Sequence, residues 1–305
     1  MSIVKTNIPM TSKACEDSIL ALVKEYPFLR TEVLTESAWG RNIRTLVIGN
    51  GSRKVIYSAS HHANEWITTP VLLKFAEEFA CALQCGGEIF GVPASELAAK
   101  TSIYMVPMVN PDGVDLVLGE IPKDSYPYQN ARQIGENFPN IPFPEGWKAN
   151  LLGVDLNLQY PAGWLQAREI KFSQGYTQPA PRDYVGRAPL DQRESRALAG
   201  YTEYIDPALV LAYHTQGKEI YWQFEDYRVP GARKLGEKLA QVSGYTLADT
   251  PYESSFAGYK DWFIKAFRRP GFTIEAGEGI NPLPLEQFDE IYRDNLGILV
   301  TAALG

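Results

Sequence analysis

The sequence predicts an α/β protein, and three observations support that reading. Segments with helical spacing of apolar residues alternate with short, β-branched apolar runs along most of the chain. The short runs are bounded by Gly, Pro and Asn, as strands of a sheet usually are. No linker divides the 305 residues, although roughly 150 residues per domain would allow two domains. One domain over residues 1–305 is therefore expected, with an N-terminal helix and strands in 1–50 and the core in 51–305. With 45% hydrophobic and 21% charged residues, disordered, collagen-like and coiled-coil readings are excluded.

The elements follow in order. Thr11-Ser12 precedes a helix over about 14–25, with Ile19, Leu22 and Val23 as its apolar face. Strands near 43–48 and 54–60 flank Asn50-Gly51, a dipeptide that predicts a tight hairpin. Gly49-Asn50-Gly51-Ser52 lacks the Gly-Lys-Ser/Thr ending of a phosphate loop. A helix over about 70–83 and a buried strand over 103–109 come next, closed by the turn sequence Asn110-Pro111-Asp112-Gly113. Residues 119–152, rich in Pro, Asn and Tyr, show no period and read as a long loop covering a site. Asp191 and Glu194 resemble a capping box that starts a helix. Strands at 209–213 and 219–224, a helix at 230–242, a strand at 271–275 and a helix at 285–303 complete the chain.

Charge and cysteine content narrow the partners. With 29 Lys+Arg against 36 Asp+Glu the net charge is −7, and no basic run is dense enough to hold a phosphate backbone, so no nucleic-acid partner is expected. Cys15, Cys81 and Cys85 form no disulfide framework, which points to a reducing compartment. Cys81 and Cys85 lie one turn apart on a predicted helix and read as buried. The first apolar run, 19–23, is too short and too closely flanked by charge for a signal peptide, and no run approaches the ~20 apolar residues of a membrane span. A soluble, cytoplasmic protein without a membrane partner is expected, with its oligomeric state open.

Three histidines carry the chemistry that can be read from residues alone. His61 and His62 follow the strand ending at Ser60, and His214 ends the strand over 209–213. Ligands of α/β sheets bind beyond the carboxyl ends of strands, so both places suit a site. His62-Ala63-Asn64-Glu65 sets imidazole and carboxylate three residues apart, within one turn of each other, and zinc favours these donors. His214 supplies a third ligand; His61, four residues before Glu65, remains a competing donor on spacing. No Gly-x-Ser-x-Gly elbow occurs and no cysteine has a histidine nearby in sequence, so covalent catalysis is not supported.

In order, His62-Ala63-Asn64-Glu65-Trp66, Asn110-Pro111-Asp112-Gly113, Gly153-Val154-Asp155-x-Asn157, His214 and Phe272-Thr273-Ile274-Glu275 resemble the zinc carboxypeptidase family. The resemblance implies a three-layer α/β/α domain with a mixed central sheet. It implies one Zn²⁺ held by His62, Glu65 and His214. Glu275 would be the general base, taking a proton from water on the metal and passing it to the leaving amine. Asp155 matches an aspartate that orients the first zinc histidine.

Departures from the family pattern bear on the substrate. Where the family continues Gly-Val-Asp-x-Asn with an Arg that clamps a terminal carboxylate, this chain has Leu158, leaving Asn157 alone. The Arg preceding the zinc glutamate is Asn64, and the Arg expected after Trp is Lys148, which polarises a carbonyl only as a point charge. Tyr252 is the match for the substrate-covering tyrosine. Lys260 stands where the family lines its side-chain pocket, and favours an anion there. The stretch from Glu275 to Leu285 resembles the bacterial γ-D-glutamyl-L-diamino acid endopeptidases of this superfamily. That likeness implies hydrolysis of the γ-D-glutamyl–diaminopimelate amide in small murein-derived peptides, imported or generated internally. The alternative is release of C-terminal amino acids from ordinary peptides, with Lys148 and Asn157 holding the carboxylate.

Overall fold

The computed structural model describes residues 2–305. The elements run α1 (Ser12–Glu25), β1 (Val33–Glu36), β2 (Asn42–Arg44), β3 (Leu46–Ile48), β4 (Arg53–Ala59), α2 (Thr68–Cys85), β5 (Glu88–Ile89), β6 (Val92–Pro93), α3 (Ala94–Lys100), β7 (Thr101–Val106), α4 (Pro111–Val117) and α5 (Tyr126–Glu136). They continue with α6 (Trp164–Ser173), α7 (Arg193–Ile205), β8 (Leu209–His214), β9 (Glu219–Tyr221), α8 (Ala232–Ser243), β10 (Thr246–Ala248), α9 (Tyr259–Phe267), β11 (Gly271–Glu275) and α10 (Phe288–Leu304).

Seven strands form the main sheet in the order β10-β9-β11-β8-β4-β7-β3. The inner four, β11, β8, β4 and β7, are parallel, while β9 and β3 run antiparallel to their inner neighbours. Alternation along the strands decides which face each residue serves. Val55, Tyr57 and Ala59 of β4 join one apolar cluster with residues of α2, α8 and α10. Ile56 of β4, with Val210 and Ala212 of β8, joins another with residues of α7 and α9. The result is the mixed sheet between two helical layers that the sequence predicts.

α1 forms as its sequence dictates. The Thr11 hydroxyl caps it by accepting from the Ala14 N–H, and Cys15, Ile19 and Leu22 make one buried stripe.

Several expectations are corrected. Asn50-Gly51 makes no hairpin: β3 and β4 lie on opposite sides of β7. The Asn50 and Gly51 N–H groups donate instead to Ala98 O, and a Cβ on Gly51 would sit 1.9 Å from the Lys100 carbonyl carbon. The glycine serves a close backbone approach. Asn110-Pro111-Asp112-Gly113 is a helix start rather than a turn, with the Asn110 side chain accepting from the Gly113 N–H and proline at the first helical position. The stretch 119–152 contains α5 and packs Ile121, Ala131, Trp147 and Leu151 into a cluster of its own. Asp191 and Glu194 form no capping box: α7 begins at Arg193 without a side-chain cap, and Asp191 accepts from the Arg187 N–H. Cys81 and Cys85 are exposed, because they follow the solvent stripe of α2 opposite Leu72, Phe75 and Phe79.

Candidate metal centre and substrate cleft

β4, β8 and β11 are parallel neighbours, so their carboxyl ends meet on one edge of the sheet. Ala59 stands opposite Tyr213, and His214 opposite Glu275. From β4 the sheet extends through β7 on one side and β8 on the other, the switch point at which α/β sheets open a crevice. Beyond β4 the chain turns through a 3-10 turn at Ala63–Glu65 that carries His62 and Glu65 to the crevice. Asn110 fixes this loop by donating to His61 O (3.1 Å) and Ala149 O (3.0 Å). Gly113 is required at this junction, since a Cβ would lie 2.6 Å from Ala149 O and 2.8 Å from the Ala63 Cβ.

His62, Glu65 and His214, all buried, bring their donor atoms within 4.8 Å of one another. His62 Nδ1 lies 2.9 Å from Glu65 Oε1, His214 Nδ1 lies 2.9 Å from Glu65 Oε2, and the two Nδ1 atoms are 3.2 Å apart. Donors bonded at ~2.0–2.1 Å to one tetrahedral zinc would be separated by about 3.3 Å, so the spacing fits an ion. The chemistry fits as well. His62 donates its Nε2 proton to Asp155 Oδ1 (3.1 Å), which leaves Nδ1 a bare lone pair facing a carboxylate, an arrangement that a cation relieves. In the protein alone a proton serves this purpose: burial lowers the His62 pKa, but Glu65 and Asp155 reverse that and raise it to about 9. Burial likewise disfavours a charged Asp155, yet His62 and Lys148 hold its pKa well below the carboxylate range.

His61 is not part of this group. It turns away to Tyr160 Oη (3.2 Å) and stacks beneath His214. The structure separates the two histidines that spacing leaves equivalent: His62 Nδ1 faces Glu65, whereas His61 packs against Tyr160 and the His214 ring.

The centre opens into a cleft of about 780 Å³. Glu275 lines it, partly buried, with no hydrogen-bond or ion-pair partner among the described residues. Burial, aided by the charge of Glu65, pushes its pKa up to about 8, against the pull of Lys148 and His62. Lys148 Nζ lies 3.0 Å from Glu65 Oε1. Asn64 lines the cleft and is buried, with its Oδ1 shielded from solvent and unpartnered. Asn157 Oδ1 accepts from the Tyr259 N–H, which leaves its amide NH₂ as a donor on the wall. Leu158, where an Arg is expected in the family pattern, packs into the apolar cluster of α7 and α9.

Lys260 is in the cleft but not free. Its Nζ lies 2.6 Å from Asp261 Oδ1 and donates to Gln223 O (2.6 Å) and Thr250 Oγ1 (3.4 Å). Asp261, also lining the cleft, is the partner that sequence reading missed, although it is adjacent in the chain. Tyr252 is not brought to the centre. It is 70% exposed and packs edge-on against Phe256 outside the cleft wall. Sequence reading also missed Arg182, which lines the cleft beside Lys148 and belongs to no motif.

A mixed sheet carrying two histidines and a glutamate at its switch point, with a carboxylate opposite, defines a metallopeptidase-type centre. The family model for zinc carboxypeptidases matches residues 15–297, and the chain belongs to that family. It is 44% identical over 286 residues to γ-D-glutamyl-L-diamino acid endopeptidase 1 of Lysinibacillus sphaericus, covering 93% of this chain and 69% of the relative. It is 39% identical over 288 residues to YqgT of Bacillus subtilis (strain 168), covering 94% and 75%. Among solved structures, carboxypeptidase A from Helicoverpa armigera superposes with a TM-score of 0.72 at 17% identity, over 99% of this chain and 75% of that one. Murein-tripeptide amidase MpaA from Escherichia coli O157 does so with 0.55 at 21%, over 89% and 91%. The chain is a zinc metallopeptidase by family, and none of its helices is long and apolar enough to cross a membrane among the described residues.

Proposed function

We propose that this chain, as a single peptidase domain, hydrolyses the γ-D-glutamyl–diaminopimelate amide of small murein-derived peptides. The observation that carries the reading is the 44% identity, over 93% of the chain, to a γ-D-glutamyl-L-diamino acid endopeptidase. The cleft supports it. A clamp for an ordinary C-terminal carboxylate is absent at Leu158, and the pocket presents a paired Lys260–Asp261 rather than an apolar wall. Because that pair is neutral as a unit, it suits neither a bare anion nor a bare lysine ammonium. A neutral polar wall of this kind tolerates the end of a diaminopimelate side chain, which carries one carboxylate and one ammonium and is itself neutral overall.

His62, Glu65 and His214 would hold the zinc, with Asp155 orienting His62. Zinc bound there supplies a Lewis acid that acidifies water and polarises the scissile carbonyl. The other steps belong to the chain's own side chains. Glu275, which lines the cleft with no side-chain partner among the described residues, takes a proton from water and returns it to the departing amine. Lys148 adds a positive charge beside the carbonyl oxygen, and Asn64 and Asn157 offer hydrogen bonds to the peptide on either side of the bond. Free thiols at all three cysteines support action in the cytoplasm, on peptides imported or generated internally.

The test uses L-Ala-γ-D-Glu-meso-diaminopimelate and a blocked, ordinary C-terminal dipeptide, each with and without chelator. Release of free diaminopimelate that chelation abolishes, with the dipeptide intact, is the expected result. Cleavage of the dipeptide alone would overturn the reading in favour of a carboxypeptidase.

A further inference from the structure

Four cationic side chains line the cleft, and three are already committed. Lys148 faces Glu65, Lys260 faces Asp261, and Lys171 is held by Asp183 Oδ1 at 2.8 Å. Arg182 differs. Its Nε meets Asp183 Oδ2 at 2.6 Å, but its two terminal amino groups have no partner among the described residues. Lys171 and Arg182 share the single carboxylate of Asp183, so this corner keeps one net positive charge.

The corner is rigidly mounted on the metal centre. Pro181 O accepts from the N–H groups of Lys148 (2.8 Å) and Ala149 (2.9 Å), and the Asp183 N–H donates to Asp155 Oδ2 (3.2 Å). The residues before and after Arg182 are thus pinned to the segments that carry the carbonyl-polarising lysine and the aspartate behind His62. The same short stretch separates Arg182 from the diamino-acid pocket. Asp155 faces Asp183, whereas Asn157, two residues on, holds Tyr259 next to Lys260 and Asp261.

We infer that Arg182 is a specificity residue that binds a free carboxylate on the acyl side of the scissile bond, the α-carboxylate of a γ-linked glutamate. The inference rests on the substrate class proposed above and names the group that recognises its acyl half. A γ-linkage spends the side-chain carboxyl on the amide, so the main-chain carboxylate stays free, four bonds from the carbonyl that is attacked. An α-linked residue other than glutamate has no carboxylate at that distance. A planar guanidinium with two free amino groups in one plane suits bidentate capture of a carboxylate, which a lysine at the same place would not provide. The Asp183 contact at Nε holds that plane in register.

The experiment measures kcat and KM of the zinc-loaded enzyme on three peptides. They are L-Ala-γ-D-Glu-meso-diaminopimelate, the same peptide with the glutamate α-carboxylate amidated, and the same peptide with the main-chain carboxylate of diaminopimelate amidated. Wild type should lose at least tenfold in kcat/KM on the glutamate amide, chiefly through KM. Arg182→Gln should fall by a similar factor on the parent peptide, with no further loss on the glutamate amide, while keeping its zinc content and melting temperature. Arg182→Lys should recover part of the loss. Equal cleavage of the parent and the glutamate amide by wild type would overturn the inference without any variant. So would an Arg182→Gln defect of equal size on both, which marks a structural role, or one that tracks the diaminopimelate carboxylate. Failure of wild type to cut the parent peptide would take down the substrate reading and this inference together; cleavage without discrimination removes the inference alone.

Discussion

Glu194, in the first turn of α7, offers a test of how the interior is charged. It is 1% exposed, and neither carboxylate oxygen has an aligned hydrogen-bond partner. Burial raises its pKa to about 7, and the charge of Asp112 adds to the rise. The N–H groups of Glu194 and Ala38 and the Asn150 amide lie near enough to offset only part of it. An acid whose folded pKa exceeds its unfolded value binds more protons in the folded state between the two. Stability therefore falls as pH rises through that window, from the ordinary glutamate value of 4.5 to about 7, and is level above it. At about 1.4 kcal/mol per unit the full loss is about 3 kcal/mol. Glu194→Gln keeps the shape and removes the titration. At pH 5 the variant should match wild type within about 1 kcal/mol; at pH 8 it should be more stable by up to about 3 kcal/mol, or about 5 °C in Tm for a chain of this size. Denaturant midpoints of both proteins at the two pH values, with zinc at constant saturation, give the comparison. A stability difference that does not change with pH, or a variant less stable at pH 8, would refute the reasoning.

Two further outcomes follow from the centre. Glu275→Gln should lower kcat on the tripeptide by about 10²–10⁴-fold while zinc stays bound at one equivalent, because the amide cannot carry the proton; metal analysis and turnover of the same sample check both halves. Asp155→Asn keeps an acceptor for His62 but removes the charge behind it, so zinc affinity measured by competition with a chelator should fall about 10–100-fold, and unchanged affinity would show that His62 does not depend on that carboxylate.

Much of the fold class and the first half of the centre is legible in the chain itself. Alternating periods announce an α/β sheet because side chains repeat every two residues in a strand and every 3.6 in a helix. His62 and Glu65 are legible because three residues of separation at a strand end bring them together by local geometry alone. The remainder depends on non-local packing. His214 lies far along the chain from Glu65 and Glu275 farther still, and they meet because β4, β8 and β11 are adjacent and parallel, an order fixed by which apolar faces α2, α7, α9 and α10 cover. Asn50-Gly51 misleads because a hairpin turn and a close backbone approach demand the same small residue, and only the position of β7 distinguishes them. Lys260 reads as a free cation until its neighbour Asp261 turns inward beside it, and Arg182 carries no motif because its place depends on backbone hydrogen bonds to Lys148 and Asp155. Sequence determined which chemistry is present, since donor types and local spacings are written in order along the chain; tertiary structure decided which of those groups share one cleft, and which charges in it remain unpaired.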